Sequence, residues 1–177
     1  VLTVLWLSPP RAHNGSDVLF TSGIGINNAP HLSTVSQILK VIELQRHGAD
    51  VQLVLGDLDV SLARRFDDAS GMLTEQYRRF IVGLGFDERL GRIRTQSEAP
   101  RVSTLALALS RFVDDEDFAY VKEDILDYYH VNNGMTLSSK VSYLLMFADF
   151  IAPIVDGERK AVVVCSGLDE SKYAIMA

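Results

Sequence analysis

The stretch Phe20-Thr-Ser-Gly-Ile-Gly-Ile-Asn-Asn-Ala-Pro-His31-Leu-Ser-Thr34 constrains this chain most. A short apolar run, Val18 to Phe20, reads as a buried strand; Gly23 and Gly25 allow a tight backbone path after it; Val35, Ile38, Leu39 and Ile42 then recur at helical spacing. A helix that opens at the carboxyl end of a strand gathers unpaired N–H groups and the positive end of its dipole, so it attracts phosphate or carboxylate. The pattern fits a nucleotide site, and it fits an ordinary Gly-rich turn that binds nothing.

Further apolar runs with strand character are Val51 to Leu55, Arg92 to Thr95 and Ala161 to Cys165. Helical patterns cover His31 to Arg46, Met72 to Gly83, Val102 to Phe112, Phe118 to Tyr129 and Ser138 to Ile151, and a last helix begins near Asp169. This alternation predicts an α/β fold, a Rossmann-like doubly wound parallel sheet with helices on both faces. With 177 residues, 47% of them hydrophobic, the chain has enough apolar surface for one such domain.

The net charge of −6 argues against a protein whose main role is coating nucleic acid, although Arg78, Arg79, Arg89, Arg92, Arg94 and Arg101 leave room for a local basic patch. Cys165 is the only cysteine, so no internal disulfide forms and a reducing, cytoplasmic setting is expected. Val1 to Leu7 is too short to span a bilayer and lacks the features of a secretory signal. One cysteine and four histidines give no zinc pattern, and the acidic run Asp114 to Asp117 reads as a solvated helix start rather than a metal site.

Ligands of a doubly wound sheet bind beyond the carboxyl ends of its strands. Here those ends are polar: Gly23 to His31, Gly56-Asp-Leu-Asp59, Gln96-Ser-Glu98 and Ser166-Gly-Leu-Asp-Glu170. Any one could be a helix cap. Together they point to a site on one rim. Asp149 stands out separately, in an apolar helix with Tyr143, Leu144, Met146 and Phe147. A carboxylate there must be paired with a basic side chain or bound to a ligand, because burying it alone is costly.

In order and spacing these segments resemble the catalytic domain of class I aminoacyl-tRNA synthetases, in the tryptophanyl and tyrosyl branch. Thr21 to Thr34 is similar to the strand, turn and His-Ile-Gly-His signature, with His31 retained, Ser33 at the glycine and Thr34 at the second histidine. Val54-Leu-Gly-Asp-Leu-Asp59 and Ile93-Arg-Thr-Gln-Ser-Glu98 resemble the second and third strands. Leu145-Met-Phe-Ala-Asp149 resembles the helix lining the aromatic amino-acid pocket, and Cys165-Ser-Gly-Leu-Asp-Glu170 the Gly-x-Asp-Gln segment. The second signature, Lys-Met-Ser-Lys-Ser, would follow downstream; residues 1–177 are therefore expected to form one catalytic domain without that loop or the anticodon-binding part.

The resemblance implies ATP-dependent activation of an aromatic amino acid, tryptophan before tyrosine, and its transfer to tRNA by a homodimer, with Mg2+ arriving on ATP. It implies His31 and Thr34 as catalytic residues, and Gly23, Gly25, Asn28, His31, Ser33, Gly167 and Asp169 as the ATP contacts. The amino-acid contacts would be Ser22, Asp57, Asp59, Gln96, Met146, Asp149 and Glu170, with Asp149 taking the polar tip of the ring. On that basis Asp149→Ala is expected to remove ligand binding and leave the fold intact. Two other readings stay open: a synthetase paralogue that binds an amino acid or tRNA without chemistry, and an enzyme of the cyclodipeptide-synthase kind that uses charged tRNA, with Ser22 as nucleophile.

Overall fold

The computed structural model describes residues 17–26, 29–64, 70–121 and 135–166. Strand β1 spans Val18–Ile24, followed by helix α1 (Leu32–Arg46), β2 (Asp50–Leu55), α2 (Asp57–Arg64), α3 (Ser70–Gly83) and β3 (Gly91–Thr95). Helices α4 (Pro100–Leu109), α5 (Asp115–Val121) and α6 (Leu137–Val155) then lead to β4 (Ala161–Val164). The four strands form one sheet in the order β3-β2-β1-β4, with every pairing parallel. Chain order therefore reverses between β1 and β4, which makes the carboxyl end of that seam the place where a doubly wound sheet opens a crevice. The predicted Rossmann-like architecture is the observed one.

Side chains alternate between the two faces of each strand, and the parallel register keeps paired residues on the same face. Phe20, Ile24, Val51, Leu53, Leu55 and Ile93 occupy one face, packed against Ile38, Val41 and Ile42 of α1 and Tyr77 and Ile81 of α3. The opposite face lies under a second core built from Val102, Ala106, Phe118, Leu144, Leu145, Phe147 and Ala148, with Leu58 and Leu62 of α2 at its edge. That face is more polar. It carries Thr21 and Gln52, both fully buried, with the Gln52 amide donating to Thr21 Oγ1 at 3.3 Å.

Several boundaries differ from the sequence reading, each for a local reason. Strand β1 runs on through Thr21, Ser22, Gly23 and Ile24, because β2 continues to pair with it as far as Leu55, so Ser22 and Gly23 lie within the strand. Gly23 does not use a left-handed backbone; Gly48, Gly85 and Gly157 do. Helix α2 follows β2 where the sequence shows only a polar strand end, and Asp57 and Asp59 supply the acidic first turn that favours a helix start. Pro100 starts α4 earlier than its apolar spacing suggested. Leu39, counted in the apolar stripe of α1, is 46% exposed, and Ile38, Val41 and Ile42 form the buried stripe instead. The later part of the predicted Phe118 to Tyr129 helix and the helix near Asp169 lie outside the described residues.

The acidic run ends in a reciprocal cap. Asp114 Oδ1 accepts from the N–H groups of Glu116 and Asp117, at 2.8 and 3.1 Å, while Asp117 Oδ2 accepts from Asp114 N–H at 3.0 Å. Helix α6 is long and apolar enough to cross a membrane by length and composition alone. It is packed against β4, α2 and α4, and its apolarity is that of a core helix.

Two positions give direct tests of this packing. A Cβ on Gly91 would come within 2.7 Å of Gln45 Nε2 and Val51 Cγ2 and 2.9 Å of Phe86 Cζ. Gln45 cannot yield freely, since its amide donates to and accepts from the backbone of Asp87, each at 2.9 Å. Gly91→Ala is expected to cost about 1–3 kcal/mol, read as a lower urea midpoint with unchanged slope. Cys165 is buried, and burial pushes its thiol up to about 11. Its alkylation by iodoacetamide near neutral pH should be roughly 100-fold slower in the folded protein than in denaturant, following the thiolate fraction.

Candidate functional site

At the mouth of α1, His31 occupies the N-cap position without its side chain capping a backbone N–H of the helix, and no acidic residue enters the first turn. The first-turn N–H groups thus gain no side-chain acceptor from the cap. The His31 side chain instead meets its own helix. Ser33 Oγ lies 2.7 Å from His31 Nδ1, and Thr34 Oγ1 is nearly equidistant from both ring nitrogens, at 3.4 and 3.3 Å. His31 and Ser33 are exposed, whereas Thr34 is buried.

A second cluster joins the ends of β2 and β3 to α6. Asp149 is only 3% exposed. Its Oδ1 accepts from Arg94 Nη2 at 2.6 Å, and its Oδ2 accepts from the Gln96 amide at 2.7 Å. Gln96 is fixed in turn: its Oε1 accepts from Asp59 N–H at 2.8 Å, and its own N–H donates to Asp57 Oδ1 at 3.0 Å, which also receives Ser97 N–H at 3.1 Å. Ser142, two helical turns before Asp149, donates its hydroxyl to Asp59 Oδ1. Burial pushes the Asp149 carboxyl above the usual carboxylate range, and the charge of Arg94 followed by the hydrogen bonds from Gln96 and Arg94 oppose that rise.

Asp57, Asp59, Gln96 and Asp149 are thus brought together, and Met146, half-buried, stands one turn from Asp149. Asn28, Gly167, Asp169 and Glu170 lie outside the described residues. Gly25 is exposed just beyond β1. Ser22 belongs to neither cluster. It is fully buried, donates to the Cys165 carbonyl at 2.7 Å and accepts from the Gln37 amide at 2.7 Å. A nucleophile needs an accessible hydroxyl with a base beside it. Among the described residues Ser22 has neither, so its geometry lends the cyclodipeptide-type reading no support.

Arg94, Ser142 and Gln37 escaped the sequence reading. Arg94 was grouped with the surface arginines, although period-two alternation in Arg92-Ile-Arg-Thr95 puts it on the face opposite Ile93, which α6 covers. The supposed basic patch is neutralised in place. Arg78 pairs with Glu88 and Glu98, Arg79 with Glu75, Arg89 with Asp87, Arg92 with Glu158, Arg94 with Asp149 and Arg101 with Asp156.

The Arg94 pairing changes what Asp149→Ala should do. Removing the carboxylate leaves a mostly buried guanidinium without its counter-charge, a loss of up to about 3–5 kcal/mol for a fully buried pair, lessened here because the Arg94 side chain is 20% exposed. Asp149→Asn keeps an acceptor toward Arg94. In urea unfolding the alanine variant is expected to lose clearly more stability than the asparagine variant; equal midpoints would show that a neutral acceptor at this position does nothing for Arg94.

No protein-family model matches the sequence, and no curated protein matches it. Solved structures do. The fold is similar to that of tyrosyl-tRNA synthetase from Archaeoglobus fulgidus, complexed with L-tyrosine, with a TM-score of 0.72 and 16% identity over 92% of this chain and 50% of that one. It is similar to tryptophanyl-tRNA synthetase from Aeropyrum pernix K1, with a TM-score of 0.73 and 19% identity over 90% of this chain and 42% of that one. It also resembles the Campylobacter jejuni tryptophanyl enzyme complexed with ADP and tryptophan, with a TM-score of 0.74 and 14% identity over 89% of this chain and 47% of that one. The chain spans about half the length of these proteins. The resemblance drawn from the motifs is met at the level of the fold.

Proposed function

We propose that this chain carries the catalytic fold of an aromatic aminoacyl-tRNA synthetase and activates an aromatic amino acid with ATP for transfer to tRNA. The observation that carries the reading is the convergence, on the carboxyl rim of the sheet, of Asp57, Asp59 and Gln96 with the buried carboxylate of Asp149. The fold shared with tyrosyl- and tryptophanyl-tRNA synthetases gives that convergence its meaning.

Activation is an in-line attack of a carboxylate on the α-phosphate of ATP, and its transition state needs donors and positive charge around phosphorus. In this reading the first-turn N–H groups of α1 face the phosphates. With the Ser33 hydroxyl donating to Nδ1, the imidazole proton of His31 resides on Nε2 and serves as a phosphate donor. Thr34 steadies the ring. Gly23 and Gly25 keep the backbone open to the nucleotide, together with Asn28, Gly167 and Asp169. Asp57, Asp59 and Glu170 form the rim for the substrate ammonium, and Met146 packs on the ring. Mg2+ enters with ATP as part of the substrate. A homodimer in a reducing compartment completes the reading.

A second reading, a module that binds its amino acid or tRNA without chemistry, is favoured by one specific observation. The position where the signature glycine would let a base lie against the backbone holds Ser33, whose hydroxyl engages His31.

Amino-acid-dependent exchange of pyrophosphate into ATP separates the two. Exchange with a single aromatic amino acid is expected, and His31→Ala should lower its rate by roughly 100-fold while leaving amino-acid affinity within a few-fold. A folded protein that binds an aromatic amino acid but supports no exchange would leave the binding-module reading.

A further inference from the structure

We propose that Gln37 is a positioning residue: it locks the front of α1 to the seam between β1 and β4 and so holds His31 at the place where the α-phosphate of ATP reacts. The inference rests on the activation reading and deepens it.

The apolar stripe that seats α1 on the sheet lies toward the rear of the helix. Ile38, Val41, Ile42 and Leu44 are buried, whereas in the stretch from Leu32 to Gln37 only Thr34 is. Apolar packing therefore fixes the back of the helix and does little for its mouth, where His31 stands. Segments with few buried apolar contacts open locally unless something else ties them down.

Gln37 supplies the tie. Its Nε2 donates to Ser22 Oγ at 2.7 Å and to the Gly23 carbonyl at 3.2 Å, both on β1, and to the Cys165 carbonyl, just past β4, at 3.3 Å. The two strands part here. Their last registered pair is Thr21 with Val164, and Cys165 N–H still donates to the Thr21 carbonyl at 2.7 Å. The Cys165 carbonyl is then taken by the side chains of Ser22 and Gln37. One amide thus joins α1 to both strands where the strand order reverses. It cannot turn over. The Ser22 hydroxyl proton is already on the Cys165 carbonyl, so all three neighbours are acceptors, and Oε1 in place of Nε2 would meet only oxygens.

Gln37 acts on His31 through the helix. His31, Thr34 and Gln37 recur at a spacing of three along α1, and Thr34 Oγ1 lies 3.4 and 3.3 Å from the two nitrogens of the His31 ring. A tilt of the front turns carries the imidazole with it, and a misplacement of roughly 1 Å at a reacting centre is worth about 100-fold in rate.

Three variants of the full chain test the proposal. Gln37→Met keeps the length and removes the donor, Gln37→Glu sets a carboxylate against the Gly23 and Cys165 carbonyls, and the third combines Gln37→Met with His31→Ala. The first measurement is amide hydrogen exchange at Val35, whose N–H donates to the His31 carbonyl at 3.0 Å, with Val41 of the same helix as reference. Gln37→Met is expected to speed exchange at Val35 by about 10-fold and to leave Val41 unchanged, and Gln37→Glu to speed Val35 further. Unchanged exchange at Val35, equal acceleration at Val35 and Val41, or a glutamate variant as well protected as the unmodified chain would each overturn the lock. Should Gln37→Glu not fold, Gln37→Met decides alone. The second measurement is pyrophosphate exchange. Gln37→Met should lower kcat by about 10-fold with the amino-acid KM within a few-fold, and adding it to His31→Ala should cost nothing further. An unchanged kcat, or a further loss in the combined variant, would overturn the positioning role and leave the activation reading intact. A folded unmodified chain that exchanges no pyrophosphate would overturn the activation reading and the positioning of His31 with it, and exchange at Val35 would still decide the lock.

Discussion

Asp149 has to be held by something, and how it is held organises one whole side of the molecule. A carboxylate this deeply buried survives only with partners for both oxygens. Arg94 and Gln96 supply them from neighbouring positions of β3 and its end, so α6 is tied to the sheet by polar contacts as well as by the apolar packing of Leu144, Leu145 and Phe147. Asp57 and Asp59 extend the same chain of bonds to the start of α2. Within such a network each bond polarises the next, and a misplaced member would strand its neighbours without partners.

The two faces of the sheet therefore do different work. Beneath α1 and α3 the core is almost entirely aliphatic and aromatic, and its job is to set the strand register that brings the carboxyl ends level with one another. Beneath α6 the sheet shows Thr21, Gln52 and Arg94, groups that close packing alone would not choose. Polar groups in that position are costly to fold around, and they gather on the side where the switch between β1 and β4 opens the crevice.

What the sequence disclosed and what it withheld divide along the same line. The parallel sheet was legible because Val51 to Leu55 and Ala161 to Cys165 are continuous apolar runs between amphipathic helices, a pattern that few other folds produce. The rim residues Asp57, Asp59, Gln96 and Asp149 were legible as polar residues at strand ends or in an apolar helix. Their mutual contacts were not, since Arg94 and Asp149 are 55 positions apart and only the packing of α6 on the sheet brings Asp149 within reach of the Arg94 side chain. The extent of β1 was hidden for a related reason. Nothing local to Thr21-Ser-Gly-Ile24 marks it as a strand, and the pairing with β2 makes it one.

The arginines around β3, each matched to its own carboxylate, also fix how this surface behaves toward polyanions. Tight contact with a phosphate backbone draws strength from releasing the counterions condensed on it, one for each cation that replaces them. Cations whose charge is already spent on Asp and Glu release few. Association through this face would consequently show a shallow dependence on salt concentration, and a steep one would have to originate from other residues of the protein.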